Sequence, residues 1–320
     1  MRDFGGKVAV ITGAGSGIGR ALALELAARG ARLAISDVNT ANVAETARQG
    51  SARGAEVEHY ELDVSSRDAV FAHADEVVAR FGGVNLIFNN AGVAMHQAII
   101  DTPIEDFEWL MGINYWGVVY GTKAFLPHLV ASGDGYVVNI SSVFGIISVP
   151  GQSAYNSAKF AVRGFTEALR EEMLSAGLPV GVSCVHPGGV KTSIASSAKT
   201  PGRDTKEAAD QFEKMARLTP AKAAQIIIRG VEREQARILV GADAKFIDAM
   251  QRVLGARYQE IVYRAAKRSE PPAVSPAQVP SQAPAAGQVS AGASGSAATA
   301  ASNSDSENSG SSSVPARNAS

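Results

Sequence analysis

The sequence predicts an α/β fold: one doubly wound parallel sheet with helices on both faces, then an extra C-terminal helix and a disordered tail. Three observations carry this prediction. Short apolar runs alternate with amphipathic helical stretches from residue 7 to residue 185, and strands without polar alternation belong in a sheet covered on both faces. The first run closes on a glycine cluster, Thr12-Gly-Ala-Gly-Ser-Gly-Ile-Gly19, which opens directly into a helical pattern. Beyond Ser269 the chain is mainly Ala, Ser, Pro and Gly without Leu, Ile, Met or aromatic residues, a composition that cannot offset its own ordering entropy. The domain organisation is therefore a Rossmann-type unit over residues 1–268, including a C-terminal helix at 244–267, and a tail at 269–320.

Taken in order, residues 7–12 (KVAVIT) make the first strand and 18–29 the first helix; 32–37 (RLAISD) and 42–53 make the second pair, and 56–62 and 67–81 the third. Residues 84–89 (VNLIFN) are the fourth strand. A long helix over 103–129 follows, with Thr102 as N-cap, Pro103 at the first position and Glu105 three residues after the cap. Residues 136–140 are the fifth strand, 153–175 a helix, 180–185 the sixth strand and 237–240 the last. In 244–267, Phe246, Ile247, Met250, Val253, Leu254, Ile261 and Val262 recur at helical spacing, so one face is apolar and packs on its own domain or on a second subunit. Its cations, Lys245, Arg252, Arg257, Arg264, Lys267 and Arg268, leave a peripheral membrane contact as the alternative.

The chain of 320 residues is 46% hydrophobic and 19% charged with a net charge of −1, which suits a globular protein and gives no reason to expect nucleic acid as a partner. Its single cysteine, Cys184, lies in a strand pattern, so no intrachain disulfide forms and a reducing compartment fits. No leader pattern opens the sequence and no run is long enough to span a membrane. The expected location is the cytoplasm.

Ligands of such folds bind at the carboxyl ends of the strands. After the first strand, Gly13 and Gly17 permit the turn and close backbone approach, Gly19 lets the helix pack on the sheet, and Ser16 and Ile18 complete the loop at a helix start that attracts phosphate. Asp37 stands 18 residues past Gly19, where a carboxylate accepts hydrogen bonds from both adenosine ribose hydroxyls and repels a 2′-phosphate. No basic neighbour welcomes that phosphate, which selects NAD(H) over NADP(H). Asp63 and Val64 after the third strand are placed to meet adenine, and Asn89-Asn90-Ala91-Gly92 follows the fourth. Asn114 interrupts an apolar helix face. Tyr155 and Lys159, four apart, share one helix face, and a cation beside a phenol lowers a pKa that is otherwise about 10. Ser142 reaches them from another element.

These motifs, with Tyr155-Asn-Ser-Ala-Lys159 and Pro187-Gly-Gly-Val-Lys-Thr192, resemble the short-chain dehydrogenase/reductase family in its compact branch. The resemblance implies a tetrad of Asn114, Ser142, Tyr155 and Lys159. Tyr155 is then the acid/base, Ser142 a hydrogen-bond partner of the substrate oxygen, Lys159 the ligand of the nicotinamide ribose, and Asn114 the holder of a water between Lys159 and solvent. Ser141 competes with Ser142 for the serine role, and the spacing to Tyr155 favours Ser142. The resemblance also implies that Asn90, Gly92, Pro187, Gly188, Val190 and Thr192 contact the cofactor, Thr192 at the carboxamide, and that the protein is a homodimer or homotetramer. The substrate pocket is expected to draw on Val93, Met95, His96, Val143, Phe144, Ile146, Ile147, Gln152, Ile194 and residues 195–218, with 195–210 as a lid and His96 as an incidental surface residue. That mainly apolar list points to a hydrophobic secondary alcohol or ketone. The alternatives are a nucleotide-binding regulator or scaffold with little turnover, and epimerisation or dehydration on the same fold.

Overall fold

The computed structural model describes residues 3–194, 197–201 and 216–269. The chain divides into Met1–Pro276 and Ala277–Ser320; the second unit, and with it most of the expected tail, lies outside the described residues. So does most of the expected lid.

Seven strands, β1 (Val8–Thr12), β2 (Arg32–Asp37), β3 (Val57–Glu61), β4 (Leu86–Asn89), β5 (Gly135–Ile140), β6 (Val180–Pro187) and β7 (Arg237–Val240), form one sheet in the order β3-β2-β1-β4-β5-β6-β7. Every pairing is parallel. The chain winds outward from β1 to β3 and then crosses to β4 on the other side of β1, so the order reverses between β1 and β4. A crevice opens at such a switch point.

Side-chain alternation along the strands assigns the two faces. Ala9, Ile11, Leu33, Ile35, Leu86, Phe88 and Val138 pack with α1 (Gly17–Ala27), α2 (Thr40–Ser51) and α7 (Pro220–Glu232). Their neighbours Val8, Val10, Ala34, Ile87, Val137 and Val182 pack with α3 (Arg67–Phe81), α5 (Gly117–Ala131) and α6 (Ser153–Ser175). Both faces are dry along β1, β2, β4, β5 and β6, which is why those strands carry no polar alternation, whereas the edge strand β3 (VEHYE) is half-exposed. The expectation of a doubly wound sheet holds.

The expectations need correction or addition at three points. The long helix over 103–129 is interrupted: α4 (Ile104–Met111) passes into a π-helical turn, Gly112–Trp116, before α5 begins. Asn114, fully buried, sits in that turn; one extra residue in the turn rotates it off the register a continuous helix would impose. Thr102 does not cap α4, because its hydroxyl donates to the Ala98 carbonyl at 2.8 Å. The C-terminal helical stretch is two helices, α8 (Ala242–Leu254) and α9 (Tyr258–Ser269), divided at Gly255 with φ 52°, a conformation that L side chains rarely adopt. Its apolar residues divide too: Ile247, Met250, Leu254 and Val262 pack inward with Ile146, Ile147 and Tyr258, whereas Phe246, Val253 and Ile261 are exposed. The third is an addition: α7 falls in 219–236, to which the sequence reading assigns no element, although Thr219 caps it at 3.3 Å from the Lys222 amide and Pro220 opens it.

Candidate active site

The glycine loop after β1 is held from three sides. Thr12 Oγ1 accepts from the Asn90 and Ala91 amides, both at 3.1 Å. Asn90 Nδ2 returns hydrogen bonds to the carbonyls of Thr12 and Gly13, at 2.9 and 3.1 Å. Asp37, at the end of β2, accepts from the Gly15 amide at 2.8 Å and, with its other oxygen, from the Asn39 amide at 2.9 Å. Gly13 and Gly17 have φ of 65° and 52°. A Cβ on Gly13 would lie 2.7 Å from Ala91 Cα, and one on Gly19 would overlap the Gly13 carbonyl, so the cradle excludes side chains at both places. Arg20 braces the same turn through the Gly15 carbonyl and Thr46 Oγ1.

The remaining expected cofactor residues ring this cradle. Thr192 lies against Gly17, 3.1 Å from where a Cβ would stand, and Ser193 Oγ is 3.2 Å from Ser16 Oγ. Ile18 packs on the core beneath. Pro187 ends β6; Gly188 and Gly189 lie against Asp243 of α8, which accepts from the Gly189 amide at 2.6 Å. Val190 is buried. Asp63 is exposed and holds Ser65 through its amide and hydroxyl, at 2.9 and 2.7 Å, and Val64 is buried against Gly117. Gly92 faces the second half of the site: a Cβ there would come 3.1 Å from Asn114 Oδ1 and 3.5 Å from Lys159 Nζ.

Ser142, Tyr155 and Lys159 converge at the end of β5. The Ser142 hydroxyl stands near enough to the Tyr155 phenol to favour its ionised form and accepts from the Phe144 amide at 3.1 Å. Ser141, the competing serine, is buried and donates to the Lys159 carbonyl at 2.8 Å, so its hydroxyl is spent on α6. Lys159 Nζ donates to the Ile140 carbonyl at 2.9 Å and lies 5.7 Å from the centre of the Tyr155 ring. Asn114 uses both ends of its amide on Val93, at 2.8 Å to the carbonyl and 2.8 Å from the amide. Thus Asn114 pins the loop after β4 beside Lys159.

The electrostatics differ from the expectation. Burial pushes the Tyr155 phenol up to about 12, opposed only by the Ser142 hydroxyl. Burial also pulls the Lys159 ammonium down to about 8. No lowering of the phenol by Lys159 offsets that burial. Desolvation wins at both groups.

The expected pocket list also divides. Phe144 stands edge-on to Tyr155, with centroids 6.3 Å apart at 84°, and Met95 packs in the same cluster with Val93. Ile146 and Ile147 turn away, into the cluster with Tyr258 of α9. His96 is no incidental surface residue: it is half-buried with its ring against Gly151. Sequence reasoning missed Tyr258, whose hydroxyl accepts from the Ser148 amide at 3.1 Å, as well as Asp243 and His186. Their positions 110, 54 and 44 residues away from their partners leave no local signal. Cys184 is buried and unpaired in β6, and burial raises its thiol to about 12, which leaves it inert.

The family description of the short chain dehydrogenases matches residues 7–202. The chain belongs to the short-chain dehydrogenase/reductase family. Among relatives of this oxidoreductase, SadH of Mycobacterium tuberculosis strain H37Rv, named an oxidoreductase, is 55% identical over 264 residues, 82% of this chain and 96% of its own. Human estradiol 17-beta-dehydrogenase 11 is 30% identical over 260 residues, covering 81% of this chain and 83% of its own. A short-chain dehydrogenase/reductase of Burkholderia phymatum, solved in complex with NAD, is 33% identical with a TM-score of 0.73, covering 82% of this chain and 97% of that one. The family match ends at residue 202, so α7, β7 and the helix pair α8–α9 lie beyond it. No described helix of this dehydrogenase is long and apolar enough to cross a membrane.

Proposed function

We propose that this family member interconverts a hydrophobic secondary alcohol and its ketone with NAD(H), using Tyr155 as the acid/base. The observation that carries this reading is the buried Tyr155 phenol beside Ser142, with the Lys159 ammonium 5.7 Å from its ring centre one turn along α6 and Gly92 beside Lys159. The cradle supports a dinucleotide on its own evidence of shape: Gly13, Gly17 and Gly19 clear a side-chain-free approach to the start of α1, where a helix terminus favours phosphate. Gly13, Ser16, Gly17, Ile18 and Gly19 would line the pyrophosphate side, Asp37 the adenosine ribose, Asp63 and Val64 the adenine side. Asn90, Gly92, Pro187, Gly188, Val190 and Thr192 would border the nicotinamide half, with Lys159 on its ribose. The bound nicotinamide supplies the acceptor or donor of hydride.

The chain's residues supply the rest. In oxidation, the alcohol proton passes to the Tyr155 oxygen while Ser142 holds the same substrate oxygen, and the carbonyl forms as the hydride leaves carbon. In reduction, the phenol returns that proton. A phenol near 12 is ready as the acid but poor as the base. Oxidation therefore needs added positive charge near Tyr155, which Lys159 together with a bound oxidised nicotinamide would supply. Asn114, by fixing Val93, keeps Gly92 clear of Lys159. The apolar ring of Phe144 and the similarity to an estradiol dehydrogenase favour an apolar substrate. The carboxylate of Asp37, with no cation bonded to it among the described residues, favours a free 2′-hydroxyl and hence NAD.

The test is NADH formation over a panel of hydrophobic secondary alcohols, steroids included, with wild type and Tyr155→Phe. Turnover in wild type and its loss in the variant are expected; equal turnover in both would sink the mechanism, and a stable NADH complex without turnover on any alcohol would favour a nucleotide-binding regulator. A binding titration decides the cofactor: tighter binding of NADPH than NADH would refute the reading of Asp37.

A further inference from the structure

We infer that His186 is a positioning residue for Ser142: its imidazole holds the Ser142 carbonyl and so fixes where the Ser142 hydroxyl meets Tyr155. His186 lies next to the last residue of β6, fully buried, with Nδ1 2.8 Å from the Ser142 carbonyl oxygen. A carbonyl only accepts, so Nδ1 carries the proton. The backbone ladder between β5 and β6 stops one step earlier, at the Ser141 amide to the Val185 carbonyl, 2.8 Å. The imidazole continues the attachment by one residue past the point where strand pairing ends. The same carbonyl also accepts from the Gly145 amide at 2.9 Å, and the chain turns there into the short 3-10 helix Val143–Gly145. Ser142 is thus held at the corner by two donors, one local and one from a strand 44 residues away.

The arrangement carries a cost that packing alone would avoid. With its proton on Nδ1, the ring leaves Nε2 as a buried acceptor without a partner among the described residues. An unpaired buried polar atom is unfavourable, and an apolar residue at this position would remove it. Burial also pulls the imidazole down to about 4, with Arg163, Glu167 and Arg237 the charges that face it. The ring is therefore neutral, and its donor stays in place, throughout the neutral range. A fixed donor on a fixed strand is what a hydroxyl needs if it is to hold a defined place against Tyr155.

This inference rests on the reading of Ser142 given above, and its test separates the two. Tyr155 ionisation is followed by phenolate absorbance against pH in the full chain saturated with NAD, isolated by subtracting Tyr155→Phe, which needs no substrate. Ser142→Ala is expected to raise the apparent pKa of Tyr155 by about one unit, the worth of one hydrogen bond to the phenolate. His186→Leu is expected to raise it by about half as much or more, His186→Asn, whose amide nitrogen takes the place of Nδ1, to stay near wild type, and His186→Leu to add nothing in the Ser142→Ala background. A folded His186→Leu with an unchanged titration, or with a shift that adds to that of Ser142→Ala, overturns the positioning role. If His186→Leu does not fold, His186→Gln replaces it: the longer amide misses the Nδ1 place, so Gln and Asn titrating alike overturns the inference, and Gln alone shifted supports it. A Ser142→Ala titration equal to wild type overturns the reading of Ser142 itself.

Discussion

The glycine cradle and the Ser142–Tyr155–Lys159 cluster lie on the same edge of the sheet, yet they are held in opposite ways. In the cradle, Thr12, Asp37 and Asn90 spend their polar atoms on backbone groups, so the loop keeps its shape without a ligand. In the cluster, two ionisable groups are buried, Tyr155 beside Ser142 and Lys159 with the Ile140 carbonyl as its acceptor. Both are driven toward neutrality by desolvation. The cradle is satisfied by its own backbone, whereas the cluster holds two buried groups away from their ordinary pKa values.

Substitutions can break this contrast. Tyr155→Phe removes the proposed proton carrier and is expected to lower kcat about a thousandfold, with NADH affinity unchanged by fluorescence titration. Loss of affinity instead would mean that the phenol also builds the cradle. Lys159→Met should stabilise the cofactor-free protein by about 2 kcal/mol at neutral pH, the burial cost of the ammonium less one hydrogen bond. The sign follows from a folded value near 8 against the ordinary 10.5: the unfolded chain binds the proton more tightly, so this residue's contribution to stability improves as pH rises from 8 to 10.5. The gain from Lys159→Met is therefore largest below pH 8 and gone above 10.5, as denaturant midpoints across pH will report. A constant gain would locate the effect in packing.

Asn90→Ala tests the cradle from the other side. It leaves the Thr12 and Gly13 carbonyls without their donor and should cost about 1.5 kcal/mol, with weaker NADH binding and no change in the pH dependence of turnover. The smallest effect belongs to Tyr258→Phe. It removes only the acceptor for the Ser148 amide, about 1 kcal/mol, and is expected to raise KM for bulky alcohols more than for small ones. An equal change for both would detach α9 from the substrate side of the molecule.

The sequence was sufficient for what depends on local spacing or on composition. The parallel sheet was legible because strands dry on both faces must read as unbroken apolar runs, and the pairing of Tyr155 with Lys159 because four residues on a helix make one turn. Asp37 was legible because a residue at the end of β2 must stand beside the glycine loop of β1. What only the tertiary structure decided depends on side chains distant in sequence. That α6 consumes the Ser141 hydroxyl at the Lys159 carbonyl, and that the Lys159 ammonium meets the Ile140 carbonyl, are facts of the tertiary structure. The reach of Tyr258 and His186 to the loop after β5 likewise had no local signal, whereas Asn114 and Gly255 marked their helix breaks without showing their form. Periodicity reports which face of an element is buried, but not what it is buried against, and at this site that partner sets the charge.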